Sequence, residues 1–143
     1  MRSEGELGGI RVLLVEDADD VRGAFGVLLG LEGAEVAAVR TGREAVDLAA
    51  RRPFDILLTD LGLPDIPGDR LIREILATGR CRPRIVVVTG YGEPYVGRAR
   101  AAGADAVFTK PVEWAHLLRE LRKLPHGAAA RARAVAPTSA VPA

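Results

Sequence analysis

The sequence predicts an α/β fold with a mainly parallel sheet covered by helices on both faces. From Ile10 onward, short apolar runs bounded by acidic residues or glycine alternate with longer stretches whose apolar residues recur at helical spacing. Two of the runs, Ile56-Leu57-Leu58 and Ile85-Val86-Val87-Val88, are apolar on both faces. Such strands need cover on both sides, which favours a parallel sheet between helices over an antiparallel sheet with one wet face.

The first strand spans residues 10–15, and Asp19 or Asp20 can cap the helix that follows. In that helix Val21, Phe25, Leu28 and Leu29 recur at helical spacing, and Gly33 can end it in a left-handed turn. Residues 35–39 form the second strand; Thr41 can cap a second helix over residues 42–52, which Pro53 stops. The third strand covers residues 55–59. A third helix runs from Pro67 or Gly68 to about Thr78, with Leu71, Ile72, Ile75 and Leu76 as its buried stripe and Gly79 after it. Residues 84–89 are the fourth strand. The fourth helix, residues 93–102, is the weakest, with Pro94 near its start and Gly97 inside it. A glycine costs about 1 kcal/mol relative to alanine in a helix interior. Residues 104–108 are the fifth strand, and residues 112–124 a fifth helix with Leu117, Leu118, Leu121 and Leu124 as its stripe.

A chain of 143 residues suits one domain with a short tail. Residues 1–9 carry Gly5, Gly8 and Gly9 without a continuous apolar stretch and are expected to be a flexible segment before a domain over residues 10–124. Residues 125–143 are Ala, Arg, Pro and Ser with little beyond Val135 and Val141 to bury, so a disordered tail is expected. Basic and acidic residues nearly cancel, 20 against 19, which gives no electrostatic footprint for nucleic acid or an anionic membrane. Cys81 stands alone, excluding a disulfide framework or a cysteine-rich metal site. No apolar run approaches the roughly 18 residues of a membrane span, so a cytoplasmic protein is expected.

In an open parallel sheet, ligands collect at the carboxyl ends of the strands. Those ends carry Glu16 and Asp17, Asp60, Thr89 and Lys110. Three carboxylates facing one ammonium repel one another, and a bound hard dication relieves that repulsion. Mg²⁺ suits the set, since it takes one or two carboxylates, keeps several waters and completes its octahedron with phosphate oxygens. His116 and His126 lie in the last helix and the tail, away from this pocket. A carboxylate of such a set can attack a phosphoryl group, with Lys110 and Thr89 compensating the added charge.

The stretches "LLVEDADD", "ILLTDLGLPDIPG", "VVVTG" and "VFTKP", in this order and at these intervals, resemble the receiver domain of bacterial two-component response regulators over residues 10–124. The resemblance implies a flavodoxin-like (βα)5 fold with strand order 2-1-3-4-5. It implies that Asp60 is the phosphoacceptor, that Asp17 and Asp60 are direct Mg²⁺ ligands with the Gly62 backbone carbonyl, and that Glu16 helps through water. Thr89 would hydrogen-bond the phosphoryl group, Lys110 would pair with it, and Pro111 would follow a cis peptide bond. The implied partners are a histidine kinase or phosphotransfer protein as donor and a downstream protein at the face of helix 4, strand 5 and helix 5. A homodimer is a further partner that the resemblance allows, and neither direct nucleic-acid binding nor a membrane is implied. The chemistry would be self-directed phosphotransfer and autodephosphorylation, not turnover of a substrate.

Two positions depart from the family pattern. Val107 stands where members often carry an aromatic switch residue, so the conformational response is expected in the loop before the weak fourth helix and in that helix's outer face. Gly62 is expected to leave the space two residues after Asp60 open to water. Two other readings remain at this point. A docking platform without phosphoryl chemistry would not need the complete acidic, Thr and Lys set. A haloacid-dehalogenase-like phosphatase would need a second Asp where Gly62 stands.

Overall fold

A computed structural model describes residues 5–78 and 82–123. Five strands, β1 (Arg11–Val15), β2 (Glu35–Val39), β3 (Ile56–Thr59), β4 (Arg84–Thr89) and β5 (Ala106–Thr109), form one sheet in the order β2-β1-β3-β4-β5. Every pairing is parallel. The helices are α1 (Asp19–Leu31), α2 (Gly42–Arg51), α3 (Gly68–Leu76), α4 (Tyr95–Ala102) and α5 (Trp114–Leu121). Both the fold class and the strand order agree with expectation.

Successive strand residues point to opposite faces, and this alternation divides the core in two. Val12, Leu14, Ile56, Leu58, Val86 and Val88 meet Leu29 of α1 with Leu117 and Leu121 of α5. Leu13, Val15, Leu57, Ile85 and Val87 meet Ala45 of α2, Leu71, Ile72 and Ile75 of α3, and Ala99 of α4. The two-sided apolar runs are therefore the strands sandwiched between both helix layers.

Local chemistry shapes the helix ends. Thr41 caps α2 in a capping box: its side chain accepts the Glu44 N–H while the Glu44 side chain accepts from the Thr41 N–H. Gly33, at φ 89°, makes the left-handed turn after α1. Asp19 and Asp20 do not cap α1. The cap is Ala18, and both acids lie in the first turn, where Asp19 pairs with Arg22 at 2.7 Å. Helix α4 starts two residues later than the spacing suggests, after a cis Glu93–Pro94 bond, and the Glu93 carboxylate accepts the Gly97 N–H at 3.0 Å.

The N-terminal segment departs further from expectation. Residues 5–9 are folded: Leu7 is 1 % exposed and belongs to the α1–α5 core. The Leu7 N–H donates to the Glu32 carbonyl at 2.8 Å, the Gly9 N–H donates to Gly33 at 3.2 Å, and Glu6 pairs with Arg122 at the C-cap of α5. A glycine-rich composition suggests flexibility, but here it permits close approach, since a Cβ on Gly5 would sit 2.3 Å from the Glu32 backbone. The expected tail, residues 125–143, and residues 1–4 of the expected flexible segment lie outside the described residues.

Candidate functional site

Parallel register aligns the strand ends and so assembles the site. Val15 pairs with Thr59, and the next residues along each strand are Glu16 and Asp60. On the other side of β4, Thr89 pairs with Thr109, and the Lys110 N–H donates to the Thr89 carbonyl at 2.8 Å. Residues up to 94 positions apart in sequence thereby touch: the Lys110 ammonium donates to Asp60 Oδ2 at 2.9 Å and to Glu16 Oε1 at 3.3 Å. The Lys110–Pro111 bond is cis, as the resemblance implies.

Asp60 is held from a second direction, because its Oδ1 accepts the Leu61 N–H at 2.6 Å and a longer bond from the Gly62 N–H at 3.4 Å. Glu16 is only 3 % exposed, and its Oε2 accepts the Ala18 N–H at 3.1 Å. Burial raises its pKa above the ordinary glutamate value, overriding the opposing pull of the Ala18 amide and the Lys110 charge, while the Asp60 charge pushes the same way as burial. For Lys110, burial would lower the pKa. The hydrogen bond and charge of Asp60, followed by those of Glu16, outweigh it and hold the ammonium above its ordinary value.

Thr89 is fully buried, and its hydroxyl oxygen accepts the Tyr91 N–H at 3.1 Å. Tyr91 then reaches across the site. A Cβ built on Gly62 would sit 2.7 Å from the Tyr91 hydroxyl, so the space beside Gly62 is filled by this ring. The expectation that Gly62 leaves the position open is thus corrected: the missing side chain makes room for Tyr91. The ring packs on Tyr95 of α4, centroids 5.0 Å apart, and the two tyrosines wall a cleft of about 270 Å³ against the β3–α3 connection. Val107, half-buried on β5, packs against the α2–α4 core. His116 is exposed on α5 and pairs with Glu113; His126 lies outside the described residues.

Asp17 is exposed and, among the described residues, makes no hydrogen bond or ion pair, and the Gly62 carbonyl has no donor among them. Among the described residues no three carboxylate, imidazole or thiol side chains converge into a metal cluster. The ammonium of Lys110, not a third carboxylate, occupies the space between Glu16 and Asp60. The donor set still fits Mg²⁺. That ion needs only one or two carboxylates with waters and a carbonyl, and it tolerates neither the thiolate nor the many-carboxylate cages of other metals. Asp17 and the Gly62 carbonyl are unengaged, and Asp60 needs only to share its oxygens with Lys110.

Sequence reasoning singled out the five strand-end residues but not Asp65. The Asp65 carboxylate accepts from the Gly42 and Arg43 N–H groups at 2.9 and 2.8 Å, tying the β3–α3 connection to α2. Its position in "LPDIPG" signals a turn and nothing about a partner more than twenty residues away.

Comparison with known proteins agrees with this geometry. The family model for the response regulator receiver domain matches residues 12–122. The response regulator protein PilR of Pseudomonas aeruginosa is 37 % identical over 112 residues, 78 % of this chain and 25 % of PilR, so the chain spans about a quarter of that relative. A CheY-like response regulator receiver domain protein from Methanospirillum hungatei superposes with a TM-score of 0.75 at 30 % identity, covering 79 % of this chain and 90 % of its own. The receiver domain of a sensor histidine kinase from Pseudomonas aeruginosa, solved with a magnesium ion coordinated in the active site cleft, gives 0.73 at 32 % identity, covering 80 % and 96 %.

Proposed function

The chain belongs to the response regulator receiver domain family, and from that premise we propose that it works as a phosphorylation switch in two-component signalling, with Asp60 as phosphoacceptor. The observation that carries this reading is the hold on Asp60. One carboxylate oxygen faces the Lys110 ammonium at 2.9 Å and the other faces the Leu61 amide at 2.6 Å. The carboxylate is oriented, and the Lys110 ammonium stands beside it.

In this reading a carboxylate oxygen of Asp60 attacks the phosphorus of a donor phosphoryl group. An acyl phosphate forms as the bond to the donor breaks, and the donor leaves with the electron pair. Lys110 moves from the carboxylate to a phosphoryl oxygen. The Thr89 hydroxyl, whose oxygen lone pair takes the Tyr91 amide, has its proton free to donate to another phosphoryl oxygen. Turning Thr89 toward the phosphoryl group breaks its bond to Tyr91, so the response passes into the β4–α4 loop and α4. Residues Asp17 and Asp60, the Gly62 carbonyl and, through water, Glu16 would hold Mg²⁺. The ion supplies charge neutralisation for the phosphoryl oxygens; the magnesium-bound receiver structure from Pseudomonas aeruginosa supports this choice.

The donor would be a histidine kinase or phosphotransfer protein, and the output a protein docked on the face of α4, β5 and α5. Because the acceptor is the chain's own side chain, one phosphoryl group is taken per chain, and the reading is of a switch and not a turnover enzyme. No helix among the described residues is long and apolar enough to cross a membrane. The test is intact mass after incubation with acetyl phosphate and Mg²⁺. One labile phosphoryl group is expected on the wild type, and none with EDTA or in Asp60→Asn. A folded wild type that gains no mass would instead support a docking platform.

A further inference from the structure

Asp65 belongs to no strand or helix, yet its carboxylate collects backbone amides from two segments. Oδ1 accepts from Gly42 at 2.9 Å and from Ile66 at 3.0 Å, and Oδ2 accepts from Arg43 at 2.8 Å. Gly42 and Arg43 open α2, which carries a cap of its own. Thr41 Oγ1 takes the Glu44 N–H at 3.1 Å, and Glu44 Oε1 takes the Thr41 N–H at 3.2 Å. The box serves residues 41 and 44, and Asp65 serves the two donors between them. Since a helix with a complete capping box is already started, the Asp65 bonds matter most for the connection that Asp65 sits on.

That connection is a strap from Asp60 to Gly68. Its head is fixed by the Leu61 and Gly62 amides on Asp60 Oδ1, and its base by the Gly68 N–H on the Leu61 carbonyl at 3.0 Å. Both ties are internal to the strap. Among the described residues, the polar contacts that residues 61–66 make to the rest of the fold are those of Asp65. Ile66 reinforces them sterically, for a Cβ on Gly42 would sit 2.5 Å from its Cγ1.

We propose that Asp65 is a positioning residue, which pins the strap carrying the Gly62 carbonyl to the N-terminus of α2 and thereby sets that carbonyl beside Asp60; this rests on the receiver reading above. Mg²⁺ demands near-ideal octahedral distances, so a strap released at its middle presents the carbonyl ligand imprecisely. Outer-shell partners of this kind are worth about 10-fold or more in metal affinity.

The experiment compares wild type, Asp65→Ala, Asp65→Asn and Thr41→Ala. It measures Mg²⁺ affinity by calorimetry, amide exchange of residues 61–66 without metal, melting temperature, and acetyl-phosphate labelling across Mg²⁺ concentration. In the Asp65 variants we expect about 10-fold weaker Mg²⁺ binding, faster metal-free exchange in the strap, and labelling restored at saturating Mg²⁺. Thr41→Ala should lower the melting temperature and leave Mg²⁺ affinity as in the wild type. Should Asp65→Ala fail to fold, Asp65→Asn carries the test, because it keeps one oxygen for Gly42 and Ile66 and loses the acceptor for Arg43. Asp65 variants that melt lower but bind Mg²⁺ like the wild type, with unchanged strap exchange, overturn the positioning role while leaving the receiver reading intact. A wild type that neither binds Mg²⁺ nor takes a phosphoryl group overturns the receiver reading and the positioning role with it.

Discussion

Glu16 is buried beside a second carboxylate and holds one face of the same ammonium that Asp60 holds. Its pKa is raised by burial first, so the folded chain resists its ionisation. An acid whose folded pKa exceeds its unfolded value of 4.5 contributes stability below that value, and loses the contribution as pH rises through the folded value. At neutral pH the ionised side chain therefore weighs against the fold. Glu16→Gln, of the same shape and never charged, should melt at a higher temperature than the wild type at pH 7 in metal-free buffer. The difference should shrink as pH falls toward 4.5. Mg²⁺-dependent phosphorylation of the variant should slow by about 10-fold. Thermal scans across pH, paired with labelling rates, check both halves; a variant less stable at pH 7 would show that the Lys110 contact outweighs the cost of burial. Site acids and the lysine were legible in the sequence because their types and strand-end positions restrict the chemistry. Tyr91 was not, since an aromatic two residues beyond a strand has many uses, and only the contact with Gly62 assigns it one.

Within the β3–α3 connection, two glycines meet neighbours at similar distances with different consequences. A Cβ on Gly62 would sit 2.7 Å from the Tyr91 hydroxyl, the far end of a side chain 45 % exposed, which can swing aside. On Gly68 it would sit 2.6 Å from the Leu61 Cα, which is backbone and cannot. Gly62→Ala should accordingly change unfolding free energy by no more than about 0.5 kcal/mol, and Gly68→Ala should lose about 2 kcal/mol. Urea denaturation of the two variants measures both; equal losses would mean that Tyr91 is as immobile as the backbone. Element identities followed from periodicity, but their ends did not. Helix α5 stops at Leu121 and α3 at Leu76, short of the spacing-based expectation. The apolar stripe marks the buried face of a helix and says little about where its last hydrogen bond is made.

At the scale of the whole molecule, the N-terminal turn belongs to the folded unit. Leu7 fills the α1–α5 core beside Leu29, Leu117 and Leu121. Removing its side chain should cost about 2–5 kcal/mol, as for other buried leucines. Chemical denaturation of Leu7→Ala tests this, and a loss under about 0.5 kcal/mol, the level of an exposed position, would return residues 5–9 to the flexible class. A lone leucine among glycines has no periodicity to report, so only the tertiary structure, which gathers it with Leu29, Leu117 and Leu121, reveals its burial.

The sequence by itself determined the α/β class, the five βα units, the two-sided strands and the residues that stand at the strand ends, because burial pattern and residue chemistry are local properties read along one dimension. Tertiary structure alone decided how those ends converge: the Lys110 ammonium between Glu16 and Asp60, the Tyr91 ring in the space that Gly62 leaves, the Asp65 carboxylate on the amides of α2, and Leu7 in the core. Each joins segments far apart in the chain, and such contacts depend on strand order, register and the volume left between helices. Those quantities exist only once the sheet and its helices have assembled.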